Sequence, residues 1–283
     1  MLSILYGILS AATWGAADFI GGLASKRTNP YRVLFLAELA GLAPFILIAL
    51  IIRETVPPAI DMLLGAGSSL LGLSGLLLLY RALASGQMTI AAPVSALFAA
   101  LIPVLFGFFA LGAPSPATMF GFVLAFGAVW LISQTDATHW RSPLKGLRNL
   151  ADLRLPLLSG LFFGSYFLII HRATLNAFFW PLVAARLAGF AAFGLFALVT
   201  RQPALPPREV WGMCLINGVI DIAGNGFYIL AAQAGRIDVA AVLGALYPAS
   251  TVLLAWIVLK EKINWLQGLG VLLAFVAIVL FAL

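Results

Sequence analysis

The chain has 283 residues, of which 63% are hydrophobic and only 9% charged, with a formal net charge of +6, a pI near 9.8 and a mean hydropathy of +1.09. This composition excludes an ordinary soluble domain. It describes an all-α polytopic membrane protein, because at about 20 residues per span roughly ten helices fill the chain. The basic residues stand singly at the ends of apolar segments, where lipid headgroups and membrane orientation account for them, so the positive charge does not indicate nucleic acid. Cys214 is the only cysteine, which rules out an intrachain disulfide and a cysteine metal site.

The first apolar run, Leu2 to Ser25, has no basic residue before it and carries Asp18 inside, so it is predicted to be a retained span rather than a cleaved signal peptide. Lys26, Arg27, Asn29 and Pro30 end it. The next spans are predicted at Tyr31 to Ile52 with Glu38 inside, Asp61 to Leu83, Gly86 to Leu111 with Pro93 and Pro103 inside, and Ala117 to Ser133. Intramembrane prolines of this kind mark bends beside a cavity. One long polar connection, Gln134 to Arg154, then divides the chain. Beyond it the pattern predicts Leu155 to Ile170, Phe179 to Thr200 with Arg186 inside, Val210 to Ala232, Val239 to Leu259, and Ile263 to Leu283. The expected organisation is a first five-helix repeat at 1–134, a connecting loop at 135–154 and a second five-helix repeat at 155–283.

The repeat is visible in the residues themselves. Phe35 to Arg53 laid on Val183 to Arg201 gives ten identities in nineteen positions, including Gly41/Gly189, Phe45/Phe193 and Arg53/Arg201. Gly86 to Leu131 on Gly235 to Leu280 gives thirteen in forty-six, among them Gly86/Gly235 and Gly121/Gly270. Glycine, phenylalanine and arginine in register are not explained by apolar composition alone. Five spans per half is an odd number, so the second half is inverted relative to the first, and the site is expected near the midplane between them.

Three stretches carry a family resemblance: SAATWGAADF in the first span, LFFGSYFLI in the sixth, and LKEKINWLQGLGVLLAFVAIVL at the end, with Glu261 after the ninth span. Over its whole length the chain resembles the EamA-type, ten-helix members of the drug/metabolite transporter superfamily. Gly112 departs from the pattern, standing in the first half where Glu261 stands in the second. The resemblance implies ten helices as two inverted repeats around a central cavity, and alternating-access transport across a plasma membrane, here a bacterial inner membrane. Lys and Arg are concentrated in the loops after odd-numbered spans, which places those loops in the cytoplasm. Many relatives have cytoplasmic termini, so the two arguments oppose each other.

The eighth span contains INGVIDIAGNGFY, in which Asn217, Asp221 and Asn225 recur every four residues and share one helix face. A carboxylate at the bilayer centre costs about 2.5–3.5 kcal/mol on insertion scales, so it marks a wet cavity or a partner. Asp221 and its asparagines are therefore expected to bind an ammonium or polar group, and Arg186 a substrate carboxylate, a combination that suits an amino acid or drug-like compound. A quaternary amine or polyamine would use the acids and aromatic rings instead. Trp14, Tyr166 and Tyr228 are candidate cavity aromatics; each, taken singly, is also a packing residue.

Glu38 and Arg186 hold equivalent places in the two repeats, and counting from span centres puts them roughly 10 Å apart in depth, too far for a direct bridge. Asp18 lies at a depth similar to Glu38, and two acids sharing one desolvated site suit proton coupling. His171, at the end of the sixth span, is the third proton-coupling candidate. The two histidines are far apart in sequence, so neither a catalytic triad nor a metal site is indicated. No enzyme activity and no cofactor are expected, and the partners are a small-molecule substrate and the lipid bilayer, with the chain acting as a monomer or homodimer.

Overall fold

The computed structural model describes residues 1–84, 88–134 and 153–283, and there every regular element is a helix. Within lipid only internally hydrogen-bonded segments are tolerated, and helices meet that condition with the fewest residues. The helices are α1 (Leu2–Ser25), α2 (Pro30–Ile51), α3 (Ala59–Ala84), α4 (Met88–Leu111), α5 (Pro116–Ile132), α6 (Arg154–Ala173), α7 (Phe179–Thr200), α8 (Trp211–Ala234), α9 (Ile237–Gly244), α10 (Tyr247–Leu259) and α11 (Trp265–Ala282). Among the described residues nine segments are long and apolar enough to cross a membrane, with α9 and α10 together forming one of them, and α5 is a shorter apolar helix. Gly86 of the repeat match and most of the polar connection, residues 135–152, lie outside the described residues.

Helix ends follow the repeat. The side chain of Ser115 caps α5 through Thr118 N–H at 3.1 Å, and Asn264, its counterpart in the other half, caps α11 through Gln267 N–H at 3.0 Å. Arg53 and Arg201, matched in sequence, close α2 and α7 in the same left-handed conformation, both with φ 53°. Gly112 and Lys260 likewise follow α4 and α10, with φ 82° and 56°.

The span expected from Val239 to Leu259 is present as Ile237–Leu259, and within it the helix is interrupted at Ala245 and Leu246, giving α9 and α10. Pro248 explains the break. It has no N–H to offer the carbonyl of Gly244, and its ring crowds that carbonyl, so α9 stops there. Gly244 is also where the Trp14 ring comes close, since a Cβ at that position would lie 2.9 Å from Trp14 Cζ3.

The packing exchanges helices between the halves. The most extensive interface joins α1 to α8, and its counterpart joins α6 to α3. In the same way α2–α8 corresponds to α7–α3, and α4–α6 to the packing of α9 and α10 on α1, while α2–α7 and α5–α11 each pair a helix with its own counterpart. This is the pattern of two inverted repeats related by a two-fold axis in the membrane plane. Small residues set the spacing: a Cβ on Gly218 would strike the carbonyl of Ala37, and one on Gly164 would lie 2.7 Å from Ile102 Cβ.

Candidate functional site

The axis passes between α2 and α7, and the charged residues sit across it. Glu38 faces Gly189, whose added Cβ would lie 3.1 Å from the carboxylate, and Arg186 faces Gly41, whose Cβ would lie 3.6 Å from the guanidinium Nε. These two contacts are counterparts under the repeat. Each glycine leaves room for the opposing charged side chain to lie across the helix. Glu38 and Arg186 are thus only about three residues apart along the axis, about 4.5 Å at 1.5 Å per residue.

The expectation of a separation too large for a bridge is therefore corrected. Arg186 donates to Glu38 Oε2 at 3.0 Å, and the two side chains are only 11% and 13% exposed. Counting from span centres misplaced the axis, which the glycine register of the two repeats locates.

Arg186 also forms an ion pair with Asp221 on α8. The separate roles expected for them, Asp221 with an ammonium group and Arg186 with a carboxylate, do not describe this arrangement, because each already holds the other. Asn225 donates to Asp221 Oδ2 at 3.2 Å and to the Asp221 carbonyl at 2.8 Å, and its own side-chain oxygen accepts from Tyr166 O–H. Asn217, one turn before Asp221, turns to α1 instead and donates to the Ala17 carbonyl at 2.6 Å. It ties α1 to α8 next to Asp18.

Asp18 is exposed, and among the described residues its side chain makes no hydrogen bond or ion pair. It is close enough to Asp221 to interact with that carboxylate. Trp14, one turn earlier on the same face of α1, points inward against Gly224 and the Tyr228 ring, so the surface that Asp18 opens on is interior. Two carboxylates, Glu38 and Asp221, hold the one guanidinium, and a third, Asp18, stands beside Asp221. On this face of α8 Asp221 is the accessible residue, its side chain 33% exposed, while Asn217 before it and Asn225 and Tyr228 after it are buried.

Beyond Asn225 the cluster is closed by rings. Trp14 lies 5.7 Å from Phe167 and 5.9 Å from Tyr228, and Phe167 lies 4.8 Å from Tyr228. Tyr228 O–H donates to the Phe167 carbonyl at 3.1 Å. Its expected place as a substrate-contacting ring is corrected, because the side chain is enclosed and its hydroxyl is committed to the backbone. Tyr166 does reach the ion cluster, through Asn225.

His171 is not brought to the acids. It lies more than a turn beyond Tyr166 on α6, beside a separate cavity of about 600 Å³ lined by Glu54, Thr174, Asn176, Phe178 and Gln233 among others. The Glu54 carboxylate there accepts from the backbone N–H groups of Phe178 at 2.7 Å, Phe179 at 2.9 Å and Trp180 at 3.1 Å, capping α7. Asp61, wholly buried, pairs with Arg172 at 3.3 Å and accepts from Asn176 at 2.7 Å. Neither contact is signalled locally in the sequence, since each joins residues more than a hundred positions apart.

The family model of the EamA-like transporter family matches residues 1–134 and 153–283. A comparison with curated proteins finds no match. A solved crystal structure is similar over 99% of this chain and 96% of its own, with a TM-score of 0.76 at 18% identity. At that identity the likeness concerns the fold alone.

Proposed function

Because the chain belongs to the EamA-like transporter family, we propose that it is a secondary transporter of a small cationic amine, exchanging it for protons by alternating access across a bacterial inner membrane. The observation that supports this reading is the charge balance of the site: Glu38 and Asp221 share one guanidinium, and a further carboxylate beside Asp221, the accessible Asp18, has neither a hydrogen bond nor an ion pair among the described residues. In a desolvated site such an excess of acid calls for compensating positive charge. Protons and an ammonium group compete for it, and that competition is what an exchanger requires.

A zwitterionic amino acid suits the site less well, because its carboxylate would have to displace Glu38 or Asp221 from Arg186. Asn225 and Tyr166 would orient the amine, and Trp14 offers a ring face one turn from Asp18. One chain supplies every residue of this cluster, so a monomer suffices. With the Lys- and Arg-rich loops after odd-numbered spans taken as cytoplasmic, the end where α1 meets α2 faces the cytoplasm, and the reading takes export as the direction.

The test is flux in proteoliposomes, using a panel of straight-chain diamines and quaternary amines under an imposed pH gradient. The proposal expects flux to follow the gradient and Asp18→Asn to uncouple it. Flux indifferent to the gradient would sink the proton part. Loss of transport in Arg186→Gln with Asp221→Asn tolerated would favour the zwitterion.

A further inference from the structure

The cavity beside His171 opens widely to the outside, and it lies farther along α6 and α8 than the ion cluster, with which it shares no lining residue. On α8, Asp221, Asn225, Tyr228 and Ala232 follow at helical spacing along one face, and Ala232 with Gln233 reaches the cavity. On α6, Tyr166 meets the cluster, Phe167 the ring layer and His171 the cavity. From Asn225 to Ala232 the rise is about 10 Å at 1.5 Å per residue, and the rings of Trp14, Phe167 and Tyr228, with Ile170 and Ile229 packed in the same cluster, fill it.

The chemistry of the cavity wall is one-sided. Glu54 brings a carboxylate, Gln233 donates its amide N–H to Thr174 O at 2.9 Å and leaves its amide oxygen free, and His171 Nδ1 is buried with no partner among the described residues. The nearby cation Arg172 is held by Asp61. The wall therefore offers acceptors, which suit an N–H donor bearing positive charge.

We propose that this cavity is the second chamber of the transport path, an exit subsite for the amine in which His171 and Gln233 accept its N–H groups. The Trp14–Phe167–Tyr228 layer is the gate that divides it from the ion cluster. The inference rests on the transport reading above and assigns to it a place and residues that the ion cluster does not contain.

The experiment uses 1,4-diaminobutane as probe and full-length protein carrying Cys214→Ala, with Gln233→Cys added as an exposed handle. Modification of the introduced thiol by a bulky, membrane-impermeant maleimide is expected to abolish diaminobutane flux while leaving its binding, read as thermal stabilisation, in place. Complete modification with undiminished flux overturns the chamber and leaves the transport reading standing. If the unmodified protein neither binds nor moves diaminobutane or any other amine of the panel, both readings fall.

His171 supplies a second readout. His171→Leu is expected to raise KM for diaminobutane by about tenfold or more, the loss of one charge-assisted hydrogen bond, and His171→Gln, which keeps an acceptor, to restore it. Equal KM in both variants and the wild type removes His171 from the subsite.

Discussion

Replacing Arg186 with glutamine removes the one cation that, among the described residues, pairs with both Glu38 and Asp221. Glu38 loses a partner at 3.0 Å while its side chain stays 13% exposed, and Asp221, one-third exposed, loses its ion pair. Removing one partner of a buried ion pair costs about 3–5 kcal/mol, and water reaching Asp221 puts this case near 3. At about 2–4 °C per kcal/mol for a chain of this size, the melting temperature in detergent should fall by about 6–12 °C.

The loss should shrink as the pH is lowered, because protonating the stranded carboxylates removes the uncompensated charge. Adding Glu38→Gln to the variant should recover part of the loss, since the pair is then replaced by two neutral amides. Thermal unfolding followed by the fluorescence of a thiol-reactive dye, across a pH series, measures both effects. A single variant as stable as the wild type at neutral pH, or a double variant less stable than the single, would refute the account of the cluster as one mutually compensating unit.

Three further outcomes can be checked in the same assay. Lys260 sits in the left-handed region after α10 with φ 56°, so Lys260→Gly should raise stability by up to about 1 kcal/mol. Gly218→Ala should lower stability by about 1–3 kcal/mol or more, because its methyl group would strike the backbone of Ala37 and push α2 away from α8. Glu54→Ala should cost about 1–2 kcal/mol as a lost helix cap, and Glu54→Gln less, since an amide oxygen still accepts from the N-terminus of α7.

The spans, the duplication and its inversion were legible because they rest on patterns that lipid imposes along the chain: long apolar runs, glycines in register and an odd number of helices per half. The polar face Asn217–Asp221–Asn225 was legible for the same reason. Its partners were not. Whether a midplane acid meets a substrate or an arginine depends on the offset between α2, α7 and α8, and only Gly41 and Gly189, read as opposed gaps, carry that information. Pro248 stands in the middle of the Ile237–Leu259 span, but membrane helices tolerate an internal proline where neighbours satisfy the freed carbonyl, so its position alone does not announce a break. Tyr228 looked like its neighbours in composition, and only its depth and the bond to Phe167 distinguish it.

The exchange of helices between halves bears on how the protein is made. The hydroxyls of Ser3 and Ser10 on α1 donate to the carbonyls of Ala231 and Gly224 on α8, residues translated near the end of the chain. At about 5–20 residues per second, roughly 10–40 s separate the completion of α1 from the arrival of α8. During that interval α1 is in the membrane without its main packing partner, and so is α3 until α6 follows. Biogenesis therefore depends on whatever shelters these helices at the translocon. The two halves, synthesised as separate polypeptides, should accumulate only when both are made together.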